Sequence, residues 1–225
     1  MNPSILRNHP NMGPGDAWQA RPASEVDRTK AARIGLRLFL AVVSSLFLLF
    51  LVAFILRSQI PDWQPLTEPM APLAQTGSLW LNSLLLIAAS IGLQWARMAA
   101  RRGQGKTTLI AFTLGGALAI AFLAGQFWVW QQFAAQGYLL ASNPANSFFY
   151  LLTGLHALHL LGGLIAWAKT LSKLLLREPL QSLSASVELC AIYWHYLLAL
   201  WLLLFALLTS TPQTYEAIAA FCGLR

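Results

Sequence analysis

VELCAIYWHYLLALWLLLFALLT, residues 187–209, carries one formal charge, at Glu188, and one imidazole, at His195, in an otherwise apolar and aromatic run. A helix needs about 20 such residues to cross the hydrocarbon of a bilayer. Four further runs of this kind occupy residues 33–56, 79–98, 109–132 and 147–170. They are continuously apolar rather than alternating, and a helix satisfies its own backbone groups in lipid, so helices are expected and barrel strands are not. The sequence therefore predicts an all-α membrane protein, a bundle of five transmembrane helices.

Composition supports this. Of 225 residues, 57% are hydrophobic and 10% charged, against about 25% charged in an ordinary globular domain. The chain has too little polar surface to wrap one soluble core. Its organisation reads as a flexible cytoplasmic leader over 1–32, one membrane domain over 33–209 and a short outer-face tail over 210–225. The leader, with Pro3, Pro10, Pro14 and Pro22, lacks the apolar stretch of a signal peptide. Cys190 and Cys222 are isolated and give neither a disulfide framework nor a thiolate metal site.

The net charge of +7 is distributed as membrane topology requires. Arg7, Arg21, Arg28, Lys30, Arg33 and Arg37 precede or enter the first run. Arg97, Arg101, Arg102 and Lys106 separate the second from the third, and Lys169, Lys173 and Arg177 follow the fourth. The opposite side has only Arg57 and Arg225, with Asp62, Glu68 and Glu216. Basic residues stay on the side of insertion, so the N-terminus is expected inside and the C-terminus outside. Clustered in this way, the charge does not point to nucleic acid. Trp63, Trp80 and Tyr138 fit interfacial anchors. Short loops predict that successive helices pack as antiparallel neighbours. The small residues Gly115, Gly116, Ala117, Ala119 and Ala121 suit either close helix approach or ordinary membrane packing. No internal repeat supports a transporter of inverted halves.

Polar side chains at membrane depth are costly and so are the informative ones. They are Asn82 and Ser83 in the second run, Gln126 in the third, His156 and His159 in the fourth, and Glu188 and His195 in the fifth. His156 and His159 lie about 14 to 18 Å from the outer end of their run, and His195 about 12 Å from the inner end of its own. All three are near mid-membrane, and His156 and His159 share a helical face. A haem or metal site is one reading, since imidazole is a common ligand. Two haems require four axial ligands where the spans offer three histidines, and no carboxylate or thiolate completes a zinc or copper set. The other reading, favoured by these counts, is interhelical hydrogen bonding. Glu188 suits a proton path, a histidine partner or a first-turn carboxylate on the helix dipole. Phe127, Trp128 and Trp130 read as lipid-facing or interfacial.

Residues 148–159, FFYLLTGLHALH, resemble the F-F-x-x-T-G-x-H-G-L-H segment of subunit III of the haem-copper oxidases, the cytochrome c oxidase and quinol oxidase superfamily, with Ala157 in place of its glycine. Tyr193-Trp194-His195 followed by Trp201 is similar to the family's Y-W-H-F-V-D-V-V-W, with Glu188 at its upstream glutamate. Trp80-Leu81-Asn82-Ser83 and Trp95-Ala96 resemble its L-N-T and W-A segments, and Gly35, Phe39, Ala53 and Phe54 fit the preceding helix. The resemblance spans about residues 33–209 and is to the shorter, five-helix form. Three acids usual in the family are aliphatic here, falling on Val43, Val129 and Leu198 without gaps.

The resemblance implies an accessory subunit without catalytic residues, cofactor or metal of its own, haem and copper residing in partner subunits. It implies packing on subunit I, association with subunit II and other small subunits, bound phospholipid, support of proton uptake, and a bacterial-type inner membrane. His156, His159, Glu188, His195, Gln126 and Asn82 are then expected to form a structural polar network, and His156, His159, Trp194 and Trp201 to contact lipid. An accessory role in a nitric oxide reductase system, or a metal- or haem-bearing enzyme in its own right, are the competing readings.

Overall fold

The computed structural model describes residues 23–64, 66, 77–221 and 223. Most of the leader, with Arg7 and Arg21, lies outside the described residues, as do Glu68, Cys222 and Arg225. Among the described residues there are six helices and no strand: α1 (Ala23–Arg57), α2 (Gly77–Arg101), α3 (Gly105–Ala135), α4 (Pro144–Leu175), α5 (Leu180–Leu208) and α6 (Pro212–Phe221). The first five are long and apolar enough to cross a membrane, so the protein is a multi-pass membrane bundle. Each helix outruns its apolar stretch. Helix α1 begins ten residues before the first run, and α5 seven before the fifth, because backbone hydrogen bonding continues into the headgroup region where polar side chains are at no disadvantage. The segment after the fifth run carries α6, whose Tyr215 donates to Leu207 O at 2.8 Å.

Local chemistry sets the turns. Gly103 (φ 71°) reverses the chain between α2 and α3, and Gly137 (φ 88°) does so after α3; both conformations disfavour a Cβ. Asn143 caps α4 by accepting from Ala145 N at 3.1 Å, with Pro144 in the first helical turn. The Asn143 amide also donates to Gln64 O at 2.8 Å, tying two loops together.

By contact the chain divides into residues 1–38 and 39–225. Of the first unit the described part is the leading stretch of α1. In the second, α2, α3, α4 and α5 close a ring, each packed on the next and α5 back on α2. The expected pairing of successive helices holds around this ring. It does not extend to α1 and α2, whose connection, residues 58–76, is too long to force adjacency. From Phe39 onward α1 is attached by side chains. Phe47 and Phe54 are buried, Phe54 meeting Phe148 and Tyr215 edge-on, and Ser44 bonds the Tyr196 hydroxyl at 2.9 Å.

The α2–α3 contact is the tightest. A Cβ built on Gly92 would stand 3.2 Å from Gly115 Cα, and one on Gly115 would stand 2.8 Å from the Leu93 side chain. Of the small-residue series, Gly115, Gly116 and Ala119 face inward and Ala117 and Ala121 outward. Gly116 leaves room for the Trp167 ring, whose Nε1 donates to Phe112 O at 2.9 Å.

Candidate functional site

The polar residues of the membrane interior fall into separate sets rather than one network. In the first, Asn82 of α2 and Gln126 of α3, both buried, meet at 3.1 Å. The two ends of a planar amide are isosteric, so its partners fix its orientation. Turned to satisfy both ends, Asn82 donates to Phe122 O at 3.1 Å and accepts the Gln126 backbone N–H at 3.2 Å. The side chain thus inserts into the α3 backbone beside Gly125, where a Cβ would overlap it. The next residue, Ser83, accepts from Trp201 Nε1 at 2.9 Å and donates to Leu79 O at 2.8 Å. This set joins α2, α3 and α5.

His156 is fully buried with neither ring nitrogen hydrogen-bonded. Phe122 meets it edge-on at 6.0 Å and Trp201 lies at 5.2 Å. It is an aromatic filler between α3, α4 and α5. His159 is half-buried. Its Nδ1 donates to Leu155 O of its own helix at 2.7 Å and its ring lies against Phe47 at 5.6 Å, while its backbone carbonyl accepts from the Tyr193 hydroxyl at 2.8 Å. The two histidines share a helix but not a site. Of the four residues expected to touch lipid, His156, Trp194 and Trp201 are sealed inside the bundle, and only His159 reaches the surface. Trp194 and Trp201 are the largest of the fully buried side chains.

The remaining polar residues form a seam between α2 and α5. Glu188 takes Arg97 at 3.0 Å and Arg101 at 3.1 Å. His195 bonds Ser90 through Nδ1 and Gln94 Oε1 through Nε2, the latter at 3.1 Å. With the Gln94 oxygen turned to the ring, Nε2 donates to it and Nδ1 accepts from the Ser90 hydroxyl. Ser90, Gln94, Arg97 and Arg101 recur at spacings of three or four and so share one face of α2. They oppose Glu188 and His195, two turns apart on α5. His195 is therefore remote in bonding from His156 and His159, and the histidine cluster open to sequence reasoning is not formed. Among the described residues no three His, Cys, Asp or Glu side chains are placed to hold a metal ion.

Arg97 and Arg101, loop charges by sequence, belong to the seam. Their spacing from Gln94 and Ser90 on one helical face is the sequence signal of it. Phe127 and Trp128 face outward as expected, whereas Trp130 is half-buried and donates to Thr153 Oγ1 at 3.2 Å. Val43 and Val129 lie in one buried apolar cluster with Phe47, Phe133 and Leu204, and Leu198 borders a surface groove beside the seam.

The family described as Cytochrome c oxidase subunit III matches residues 21–210. The chain is 33% identical to "Cytochrome c oxidase subunit 3" of Synechocystis over 177 residues, 77% of this chain and 72% of that protein. It is 27% identical to the protein of the same name from Yarrowia lipolytica over 196 residues, 80% of this chain and 69% of the other. The similarity to "Probable cytochrome c oxidase subunit 3" of Mycobacterium tuberculosis is 30% over 130 residues, 56% of this chain and 62% of that one.

Proposed function

The chain belongs to the cytochrome c oxidase subunit III family, and from this we infer how it serves the complex of which such a subunit is part. It is an accessory membrane subunit of a haem-copper cytochrome c oxidase, working with other oxidase subunits. The nitric oxide reductase reading is not favoured by the relatives' names.

Within that role, haem and copper reside in the partner subunits, and this chain packs on subunit I, with subunit II and smaller subunits nearby. It supports assembly and sustained proton uptake in a bacterial-type inner membrane. The N-terminus lies inside and the C-terminus outside, a proposal that rests on the basic residues at both α2–α3 and α4–α5 turns. Residues 1–32 form a cytoplasmic leader and 210–225 an outer-face segment around the membrane domain. His156, His159, Glu188, His195, Gln126 and Asn82 serve helix packing rather than chemistry. The observation that carries this is His156: fully buried between two aromatic rings, it has no group placed beside it to share a ligand or a proton.

Phospholipid contact falls to the surfaces the bundle leaves open. His159 is one, and the almost wholly apolar groove of about 340 Å³ between α1 and α5, lined by Phe47, Leu51, Leu200 and Leu203, is another. Such a groove accepts acyl chain and no headgroup.

Deletion of the chain from its oxidase tests the reading. The remaining complex is expected to assemble poorly or to lose activity progressively during turnover, with its haem content per catalytic subunit unchanged. Unaltered assembly and endurance, or stoichiometric haem or copper on the isolated chain, would sink it.

A further inference from the structure

Helix α1 is held from Phe39 onward by side chains rather than by close backbone approach, so its points of attachment can be named. Ser44 bonds the Tyr196 hydroxyl of α5 at 2.9 Å. Ten residues further, about 15 Å along the helix, Phe54 is buried and meets Trp63, Phe148 and Tyr215 edge-on at 5.0, 5.7 and 5.3 Å. Between these two points lies the apolar groove of about 340 Å³, with Phe47, Leu48 and Leu51 on its α1 wall and Ala199, Leu200 and Leu203 on its α5 wall.

The three rings on Phe54 do different things. Trp63 belongs to the exit turn of α1 itself and moves with it. Phe148 is half-buried and ties Phe54 to α4. Tyr215 is buried, and its hydroxyl donates to Leu207 O at the end of α5 at 2.8 Å. Only residues 209–211 separate α6 from α5, so a ring fixed on the Leu207 carbonyl is in register with α5. The buried residues of α6 are Tyr215 and Ala219; the inward face of this helix is therefore the ring on Phe54 and one methyl group.

We propose that α6 is a latch for α1. Through Tyr215 it clamps the Arg57 end of α1 to the Leu208 end of α5, and so sets how far the groove between them opens. Without the latch, α1 keeps its Ser44–Tyr196 tie and the groove widens from the Phe54 end. The helix itself stays formed, because its backbone hydrogen bonds are its own. The latch acts within this chain and does not depend on what the groove holds.

The test measures the groove in the full chain, in the membrane of the cell that makes it, with Cys190→Ser and Cys222→Ser. Leu48→Cys and Ala199→Cys place one thiol on each wall, both at exposed positions. Bis-methanethiosulfonate reagents of graded length join them, and mass spectrometry of the isolated chain reads the yield. Tyr215→Ala is expected to slow joining by the shortest effective reagent roughly threefold to tenfold, the worth of one aromatic pair, and to move the optimum to a longer one. Tyr215→Leu, which keeps apolar bulk without ring or hydroxyl, should do the same and carries the test if the alanine variant does not accumulate. Arg101→Cys with Glu188→Cys, at the other end of α5, is the control pair and should join at the parent rate in both variants. Unchanged joining at the α1–α5 pair would overturn the latch. An equal fall at both pairs would overturn it too, since Tyr215 would then support the whole bundle rather than α1.

Discussion

Gly125 and His156 make opposite predictions from the same physics. At Gly125 the missing side chain is occupied by the Asn82 amide, so Gly125→Ala displaces an interhelical contact and forces overpacking, expected to cost about 1 to 3 kcal/mol in thermal unfolding of the detergent-solubilised protein. Asn82→Ala, which removes these hydrogen bonds and leaves a void beside Gly125, should cost at least about 0.6 to 2 kcal/mol. His156 has the burial of a core residue but no polar partner. His156→Phe keeps the ring and removes two unmatched nitrogens, so it should be neutral or stabilising to within about 1 kcal/mol. Trp201→Ala, beside it, empties a large volume and should cost about 3 to 5 kcal/mol. The sequence marked His156 and Asn82 equally, as polar residues at membrane depth. It could not separate them, because a hydrogen-bond partner on another helix leaves no trace in spacing along one helix.

Between elements, the seam and the turn after α1 respond to charge differently. Removing the carboxylate in Glu188→Gln leaves two guanidiniums facing each other. Because Arg101 is largely exposed, the cost should stay near 1 to 2 kcal/mol, below that of a fully buried pair; it should show as earlier loss of α2–α5 packing on heating. On the other side, Asp62 receives both Arg57 guanidinium nitrogens at 2.6 Å, and these bonds hold its carboxyl below the ordinary value near 4. A depressed carboxyl adds stability above its unfolded pKa and loses it as pH falls through the folded one. Acidification below about pH 4 should therefore loosen the α1 exit turn, read by hydrogen exchange at residues 57–63. Asp62→Asn should loosen it at all pH values and abolish the dependence. Burial pushes the Tyr215 hydroxyl up to about 12, so the α6 anchor stays protonated, and its bond to Leu207 intact, until pH rises to that range. Helix number, type and approximate ends were legible in α2 to α5 because apolar length is a one-dimensional property. The extension of α1 back to Ala23 and the existence of α6 were not, since polar residues at helix ends follow interfacial chemistry rather than hydrophobic periodicity.

For the whole molecule, three acids usual in this family are replaced in places that tolerate the replacement. Val43 and Val129 lie in the apolar cluster, so Val129→Glu puts a carboxyl among apolar side chains and should impair folding rather than restore a function, seen as reduced yield of assembled complex. The Soret absorbance of the purified oxidase per catalytic subunit should be the same with His156→Phe as without it. Family and role were readable from the segments 148–159 and 193–201 in order, while the partition of the polar residues into separate sets required the helices to be placed around their ring. That placement also bears on biosynthesis. Helix α1 leaves the ribosome ahead of α2, yet it rests on α4 and α5, which do not exist until the end of translation, through rings rather than close backbone approach. Helix α1, made before α4 and α5, thus finds its seat only once they are in place. Until then Phe47 and Phe54, buried in the finished bundle, lack the side chains that cover them.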